Sequence, residues 1–260
     1  MKSVVDHLGR QVTYEYPPKR IVSLCPAITE TLFHLQLQEE IVGRTRFCIH
    51  PHGEVETTLN VGGTKDINLE RIQQIQPDLI IAEKEENTKE MVAALEVDYP
   101  VYVFEIQTIQ DAARMIHDLG ELTDRRLLAT ELNTQIEAAF ARLPKMNGQR
   151  VAYVIWQNPF MVVGQDTYIQ TVLESMGFVN PFTSFAGRYP EVTATDLQAA
   201  KLDYLFLATE PFPFREQHQV EFARLLPDIP SYIVDGEMFW YGPKMLEAAA
   251  YFRKTFHDFA

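Results

Sequence analysis

The sequence predicts an α/β protein with two lobes, each a mostly parallel sheet flanked by helices, joined by one long α-helix. Short apolar runs alternate with amphipathic segments along the chain, which is typical of parallel sheets covered by helices. The alternation occurs in each half, and a long helical pattern lies between the halves. We therefore divide the chain into an N-terminal lobe at residues 1–121, a linking helix at 122–144 and a C-terminal lobe at 145–260.

The first half begins with a short extended piece at residues 12–14, which ends before Pro17. Apolar runs bounded by turn residues predict strands at 20–24, 40–43, 78–83 and 101–104. Helical spacing predicts helices at 27–36, 68–76, 88–96 and 109–119. Asn68 can cap the second of these helices, Pro77 stops it, and Gly120 ends the fourth. The predicted inward face of the second helix is Leu69, Ile72 and Ile75.

The longest helical pattern of the chain comes next. Thr123 or Asp124 can cap it, its apolar positions continue to about Leu143, and Pro144 ends it. Beyond it, the same patterns predict strands at 150–156, 204–208 and 232–235. The remaining predicted helices lie at 166–176, 193–201, 215–225 and 243–258.

A weak internal repeat relates the two halves. Residues 67–83 and 193–210 both contain a helix, then an aspartate, then an apolar strand that ends in a glutamate. The aspartates are Asp78 and Asp203, and the glutamates are Glu83 and Glu210. Because ligands bind beyond the carboxyl ends of parallel strands, the loops after the strands are where a binding site is expected.

The composition excludes several classes of protein. The 36 acidic and 23 basic residues give a formal charge of −13, which disfavours a protein that coats nucleic acid. Two cysteines exclude a disulfide-rich scaffold. No apolar run reaches the length of a membrane span, and residues 1–7 do not form a signal peptide. We therefore expect either a cytoplasmic protein or an exported one whose leader is missing, and we expect a monomer.

Catalytic motifs are absent from the sequence. It contains no G-x-S-x-G, no P-loop and no H-E-x-x-H. We therefore predict that the protein is not an enzyme and has no cofactor of its own.

Several segments carry a resemblance to a known family. They are RIVSLCPAITETL at 20–32, VGRT at 42–45, VGGT at 61–64, IQPDLI at 75–80 and GP at 242–243. Together with the long linking helix, their order resembles the class III substrate-binding proteins of ABC importers, the helical-backbone group. RTRFCIHP at 44–51 and YPEV at 189–192 resemble the vitamin B12-binding branch of that family.

The resemblance implies a function and a partner. It implies that the two lobes clamp a corrinoid (a cobalamin-like ligand) and deliver it to the permease of an ABC importer, in the periplasm or cell envelope. Family members present one surface acid on each lobe to the permease. The matching positions here hold Lys89 and Thr195, so their neighbours Glu90 and Asp196 are the docking candidates.

Aromatic residues and arginines on the predicted loops are the ligand-binding candidates. Aromatic faces suit a flat macrocycle because stacking gives contact area with defined geometry. Arginines can receive carboxylates or phosphates of the ligand. The candidates are Arg44, Phe47, Trp156, Arg188, Tyr189, Phe212, Trp240 and Tyr241. Phe214 is a weaker candidate, and residues 83–86 are interpreted as a solvated lip.

Cys48, His50 and His52 are the metal-ligand candidates. Thiolate and imidazole bind zinc, cobalt or iron, and in an extended segment all three would face one side. One of them could serve as axial ligand to a bound macrocycle, whereas a polar loop with surface histidines is the simpler interpretation. Cys25 and Cys48 are expected to be buried free thiols, since a disulfide would need their Cα atoms within about 7 Å.

Two alternatives to a corrinoid remain open. The same fold can bind haem, a ferric siderophore or a divalent metal ion. A cytoplasmic protein that sequesters, senses or processes a metal or tetrapyrrole is the second alternative, which the absent leader favours.

Overall fold

The computed structural model describes residues 1–259 and divides the chain into two compact units. The first unit comprises Met1–Ile106 and Gln110–Ile136. The second comprises Gln107–Ile109 and the chain from Glu137 onward. Both units are α/β, as the sequence predicts. Within the described residues no helix has the length and hydropathy that a membrane span requires.

The first unit is built on a five-stranded parallel sheet. The strands of the whole unit are β1 (Lys2–Val5), β2 (Gln11–Tyr14), β3 (Ile21–Ser23), β4 (Ile41–Arg44), β5 (Leu59–Asn60), β6 (Leu79–Glu83) and β7 (Val101–Phe104). Strands β3 to β7 pair in the order β5-β4-β3-β6-β7, and every pair is parallel. All residues of β6 and β7 are buried, which explains why these strands read as continuous apolar runs. Strands β1 and β2 form a separate antiparallel hairpin.

The helices of the first unit are α1 (Pro26–His34), α2 (Leu69–Ile75), α3 (Lys89–Glu96), α4 (Ile109–Thr123) and α5 (Arg126–Phe140). The predicted cap of α2 is confirmed, because the Asn68 side chain accepts a hydrogen bond from the backbone N–H of Arg71. The predicted inward face is partly wrong: Ile72 is buried, but the Leu69 side chain is 44% exposed. Leu69 is the first residue of α2 and lies outside the packed face of the helix.

Gly120 does not end α4, contrary to the prediction. The helix continues to Thr123, and a Cβ atom at Gly120 would lie 2.5 Å from the Cβ of Ala129 in α5. The glycine therefore allows the close approach of the two helices. The Thr123 hydroxyl donates to the Leu119 carbonyl within α4 and does not cap α5.

Helix α5 leads from the first unit to the second, whose boundary lies after Ile136. The strands of the second unit are β8 (Val151–Trp156), β9 (Phe160–Val162), β10 (Glu191–Val192), β11 (Tyr204–Ala208) and β12 (Ser231–Val234). They pair in the order β10-β9-β8-β11-β12. Strands β8, β11 and β12 are parallel, whereas β9 and β10 extend the sheet in antiparallel orientation and were not predicted.

The helices of the second unit are α6 (Tyr168–Ser175), α7 (Ala194–Ala199), α8 (Glu216–Leu225) and α9 (Lys244–Thr255). One apolar cluster on this sheet contains Val154 of β8, Leu207 of β11 and Phe222 of α8. Phe206 of β11 is also fully buried, and its ring lies 5.1 Å from that of Phe256.

The internal repeat is visible as matching hydrogen bonds. In the first unit, the Asp78 carboxylate accepts from the backbone N–H of Arg20, whose Nε donates to the Ile75 carbonyl. In the second unit, the Asp203 carboxylate accepts from the backbone N–H of Arg150, whose Nε donates to the Ala200 carbonyl at the end of the helix before Asp203. Each aspartate thus joins two neighbouring parallel strands at their amino ends.

Candidate ligand-binding edges of the two sheets

Parallel strands bring their carboxyl ends to one edge of each sheet. We define the first edge as the loops after β3, β4, β5, β6 and β7, and the second edge as the loops after β8, β11 and β12. The sequence-predicted ligand residues lie on these loops, with Arg188 and Tyr189 just before β10.

A buried turn fixes the loop after β6. The Glu83 carboxylate, on a residue only 2% exposed, accepts hydrogen bonds from the backbone N–H groups of Glu85 and Glu86. The Asn87 side chain accepts from the Glu83 N–H and donates to the carbonyls of Leu24 and Thr64. The turn therefore connects three loops of the first edge.

Burial changes the pKa of two carboxyl groups in this turn. It raises the pKa of Glu83 from 4.5 to about 7, because the two backbone hydrogen bonds only partly offset the lost hydration. Burial also raises the pKa of Glu86. The interpretation of residues 83–86 as a solvated lip is therefore wrong for Glu83, which is part of the folded interior.

Cys48 faces the interior of the first unit. A turn in which the Cys48 N–H bonds to the Thr45 carbonyl breaks the extended geometry considered for this segment. The Thr29 hydroxyl lies 3.1 Å from the Cys48 Sγ, and the Thr45 hydroxyl lies 3.2 Å from it. Burial raises the pKa of this thiol. Cys25 is also buried, and the structure describes both cysteines outside a disulfide, as the sequence predicts.

His50 and His52 lie together but separately from the Cys48 thiol. Their ring centroids are 4.5 Å apart, and His52 is exposed with its Nδ1 3.9 Å from a Glu56 carboxylate oxygen. Within the described part of the chain, no three His, Cys, Asp or Glu side chains are grouped as metal ligands. The structure therefore does not bring the three predicted metal ligands together.

Phe47 is the exposed aromatic residue of the first edge, at 48% exposure. The guanidinium of Arg46 lies 4.9 Å from its ring centroid and also binds both carboxylate oxygens of Asp66. Arg44 is half-buried and donates to the carbonyls of Val55 and Thr45. Arg44 therefore holds the loop after β4 in place.

Trp156 and Phe212 form an aromatic pair on the second edge. Trp156 ends β8 and is 40% exposed, and its ring lies 5.6 Å from that of Phe212. Phe212 is half-buried and its ring lies 4.7 Å from Phe214. Phe214 is itself buried in the core, so its weaker candidacy as a ligand contact is not supported.

Trp240 is oriented by a carboxylate at the end of the neighbouring strand. Its indole Nε1–H donates to Glu210 at 3.0 Å. A Cβ atom at Gly236 would lie 2.9 Å from the Glu210 side chain, so the backbone also packs closely against it. These contacts fix the plane of the Trp240 ring.

Tyrosines surround the same position. The Tyr153 hydroxyl is buried and has no hydrogen-bond partner among the described residues. Burial raises its pKa, and the negative charges of Glu210 and Asp235 raise it further. The Tyr251 hydroxyl oxygen accepts a hydrogen bond from the Asp235 backbone N–H at 3.0 Å. Tyr153 is therefore a neutral phenol.

Tyr241, Tyr189 and Arg188 complete the predicted set. The Tyr241 ring lies 5.6 Å from that of buried Tyr168, whose pKa is raised by burial. Tyr189 and Arg188 are half-buried in the segment before β10. Lys244 is the first residue of α9 and is buried. Its Nζ lies 3.2 Å from a Glu247 carboxylate oxygen and 4.0 Å from a Glu237 carboxylate oxygen.

The two docking candidates lie at helix N-termini. Glu90 is exposed in the first turn of α3, which the Thr88 hydroxyl caps. Asp196 is in the first turn of α7, and its carboxylate accepts from both the backbone N–H and the hydroxyl of Thr193. These bonds lower the pKa of Asp196.

Sequence reasoning missed several polar residues of the two edges. Asn87, Asp235 and Tyr153 had no motif that distinguished them. Glu83 and Glu210 did have a signal, because the internal repeat places each at the end of an apolar run. The Glu83 carboxylate accepts backbone N–H groups of the loop after β6, and the Glu210 carboxylate accepts the Trp240 indole N–H from the loop after β12.

The sequence also matches a model of the periplasmic binding protein family over residues 21–224. The chain belongs to the periplasmic binding protein family. This family supplies substrate-binding components of ABC importers, and its members are binding proteins, so the predictions of family and of a non-enzymatic protein are confirmed.

Several proteins are similar to this chain over most of its length. A vitamin B12-binding protein from Vibrio parahaemolyticus is 27% identical over 197 residues, which cover 73% of this chain and 70% of that protein. The solved periplasmic vitamin B12 binding protein of Vibrio cholerae matches with a TM-score of 0.78 at 19% identity, covering 93% of this chain and 98% of its own.

A haem-binding relative has the same fold. The solved periplasmic heme binding protein of Vibrio cholerae matches with a TM-score of 0.76 at 19% identity, covering 92% of this chain and 98% of its own. At such identities the two structures establish the two-lobe fold, whereas the ligand of this binding protein has to be argued from its own residues.

Proposed function

We propose that this protein binds a corrinoid in the cell envelope and delivers it to an ABC importer. The observation that carries the proposal is the similarity to vitamin B12-binding proteins, which covers about three quarters of the chain. The Vibrio parahaemolyticus protein is 27% identical to this chain over 197 residues.

The aromatic residues of the edges support a flat ligand. Phe47 is 48% exposed and Trp156 is 40% exposed, so both present apolar ring surface to water. Stacking of a macrocycle would remove this surface from water and gain the geometric preference of aromatic contacts. Trp240 is held by Glu210, so its ring is oriented before any ligand arrives.

The proposed contacts combine these rings with two arginines. Arg188 is the proposed partner of the phosphate in the nucleotide loop of cobalamin, because a guanidinium binds phosphate through two N–H groups. Arg44 supports the loop that carries Phe47. The full proposed contact set is Arg44, Phe47, Trp156, Arg188, Tyr189, Phe212, Trp240 and Tyr241.

A titration panel tests the ligand class. We expect cyanocobalamin and dicyanocobinamide to bind with 1:1 stoichiometry in calorimetry, with changes in visible absorbance. Haemin, a ferric catecholate and zinc ions should bind more weakly. Tighter binding of haemin would move the function to the haem alternative, and no binding by any of the five probes would contradict ligand transport altogether.

Variants locate the site. We expect Trp156→Ala to weaken cyanocobalamin binding about tenfold, which is the scale of one lost aromatic contact. Tyr232→Ala is the matched control, because Tyr232 is 39% exposed in β12 of the same sheet but near the amino ends of the strands. Equal affinities of the two variants would place the ligand elsewhere.

Haem is the second candidate, and one observation favours it. The adjacent rings of His50 and His52 on the first edge provide imidazoles of the kind that bind haem iron. In that case the double variant His50→Ala/His52→Ala would abolish the haemin spectrum and leave a corrinoid titration unchanged.

We also propose that Glu90 and Asp196 dock the importer. The variant Glu90→Gln/Asp196→Asn should bind cyanocobalamin normally and reduce its uptake by native cells about tenfold, the scale of lost charge pairs at an interface. Thr193→Ala is the control, since it removes the cap of α7 but keeps the charge of Asp196. An equal loss of uptake in Thr193→Ala would assign the effect to the helix end.

A further inference from the structure

The aromatic pair of Trp156 and Phe212 lies on two loops that hydrogen bonds join to each other and to helix α8. The Phe212 backbone N–H donates to the Ile155 carbonyl at 3.3 Å, which joins the loop after β11 to β8. The Gln157 side chain, next to Trp156, donates to a Glu221 carboxylate oxygen of α8 at 2.8 Å. The position of the pair therefore depends on how α8 begins.

His218, in the first turn of α8, contacts one ring of this pair. The residue is 8% exposed, and its imidazole centroid lies 5.3 Å from that of Phe212 and 5.5 Å from that of Phe214. Both contacts have edge-to-face geometry. The imidazole therefore packs against the same phenyl ring that contacts Trp156 at 5.6 Å.

The same imidazole caps the first turn of α8. Its Nδ1 accepts a hydrogen bond from the backbone N–H of Arg215 at 2.8 Å, and the His218 N–H donates to the Arg215 carbonyl at 2.9 Å. This is the arrangement of a capping box, in which glutamate or glutamine usually occupies the position of His218. Because the accepting nitrogen carries no proton, the neutral imidazole has its proton on Nε2, which lies 3.3 Å from the Gln217 side-chain amide.

Protonation of His218 is incompatible with this cap. A histidine side chain takes up its second proton at mildly acidic pH, and both of its nitrogens are then donors. The Nδ1–H would face the Arg215 N–H, so that two donors oppose each other without an acceptor. The positive charge would also lie against phenyl rings, where it is poorly hydrated. The cap is therefore present while the imidazole is neutral and is lost as the pH falls.

The surroundings of the imidazole offer little compensation for a charge. The charged side chains of the loop after β11 and of α8 are Glu210, Arg215, Glu216, Glu221 and Arg224. Two of these carboxylates are bonded elsewhere, that of Glu210 to the Trp240 indole and that of Glu221 to Gln157. The groups in contact with the imidazole are a backbone N–H, an amide and two phenyl rings. An imidazolium would therefore form without a carboxylate among these contacts.

We propose that His218 is a positioning residue, which holds Phe212 against Trp156 while its imidazole is neutral and releases the pair when it is protonated. The aromatic surface of the second edge is thus ordered at neutral pH and loosened in acid. The change is local, because the bond that is lost joins the loop after β11 to the first turn of α8. The inference rests on the proposed function, in which both rings contact the ligand, and adds a proton-dependent control of that contact.

Tryptophan quenching tests the inference without a ligand. Trp240→Phe leaves Trp156 as the only tryptophan of the chain. In this background we expect acrylamide quenching of Trp156 to rise about twofold between pH 8 and pH 5, because the ring loses its contact with Phe212. Adding His218→Gln should abolish the rise, since glutamine is an uncharged acceptor at this position of a capping box. An equal rise with and without His218→Gln would overturn the inference.

Two further variants assign the effect to the imidazole. His218→Ala has no acceptor at any pH, so its quenching at pH 8 should already equal that of the Trp240→Phe protein at pH 5. His117→Gln is the matched control, because His117 is exposed in α4 of the first unit, and it should leave the rise unchanged. Quenching in His218→Ala that stays at the level of the histidine protein at pH 8 would show that the imidazole does not position the pair.

Ligand titrations separate this inference from the proposed function. With both tryptophans in place, we expect the affinity for cyanocobalamin to fall about fivefold between pH 8 and pH 5, the scale of one lost helix cap, and to stay constant in His218→Gln. If cyanocobalamin binds at neither pH, the proposed function fails and the quenching result alone decides the role of His218. The same fall in wild type and His218→Gln would overturn the proton-dependent control.

Discussion

Replacing Glu83 by glutamine raises the free energy of unfolding of the first unit by ~3 kcal/mol at pH 8 and leaves it unchanged below pH 4. The reason is the buried carboxyl group, whose pKa is about 7 in the folded protein against 4.5 when hydrated. The folded state therefore binds more protons between these values. Stability of the wild type falls as pH rises through this window, and the uncharged glutamine does not incur that loss.

The measurement has to report on the first unit. Both tryptophans, Trp156 and Trp240, are in the second unit, so hydrogen exchange of β6 is the suitable probe. Glu90→Gln is the control, because this exposed carboxyl lies in the next helix. A stability gain that is the same at pH 4 and pH 8 would contradict the assignment of the effect to the Glu83 charge.

Replacing Phe206 by alanine destabilises the second unit by about 3–5 kcal/mol. Phe206 is fully buried in the middle of β11, where its ring lies 5.4 Å from Phe178 and 5.1 Å from Phe256. Truncation removes the buried contacts of the Phe206 ring. It leaves a cavity that the rings of Phe178 and Phe256 cannot fill without moving.

Tryptophan fluorescence during urea unfolding measures this change, because both tryptophans report on the second unit. Phe206→Leu is the matched variant, with an expected loss below about 1.5 kcal/mol, since it retains most of the buried volume. A loss below about 1 kcal/mol for Phe206→Ala would show that the aromatic cluster does not hold this sheet together.

The longer parallel strands of each sheet are predictable because burial on both faces leaves a direct pattern, whereas the two-residue strand β5 is not predicted. Strands β6, β7 and β11 are short apolar runs whose neighbours are turn residues. The Asn68 cap was predictable for a similar reason, since its hydrogen bond joins residues three positions apart. Asp78 and Asp203 occupy matching positions of the internal repeat. Each accepts a hydrogen bond from the backbone N–H that precedes an earlier strand of its sheet, β3 or β8.

Short antiparallel strands left no such pattern. Strand β10 has two residues and β9 has three, so their identity depends on pairing with each other and with β8. The sequence predicts a helix end at Gly120 because glycine commonly ends helices. Only the packing of α4 against α5 shows that the missing Cβ serves their close approach.

Local spacing and residue type are enough to predict the family, the alternation of strands and helices, and the loops on which the candidate ligand residues lie. Contacts between distant segments determine which of those residues are exposed, oriented or charged. Cys48 faces inward through hydrogen bonds to Thr29 and Thr45, and Glu83 is buried with a raised pKa. Such properties arise from contacts between distant segments and from lost hydration, which no local pattern encodes.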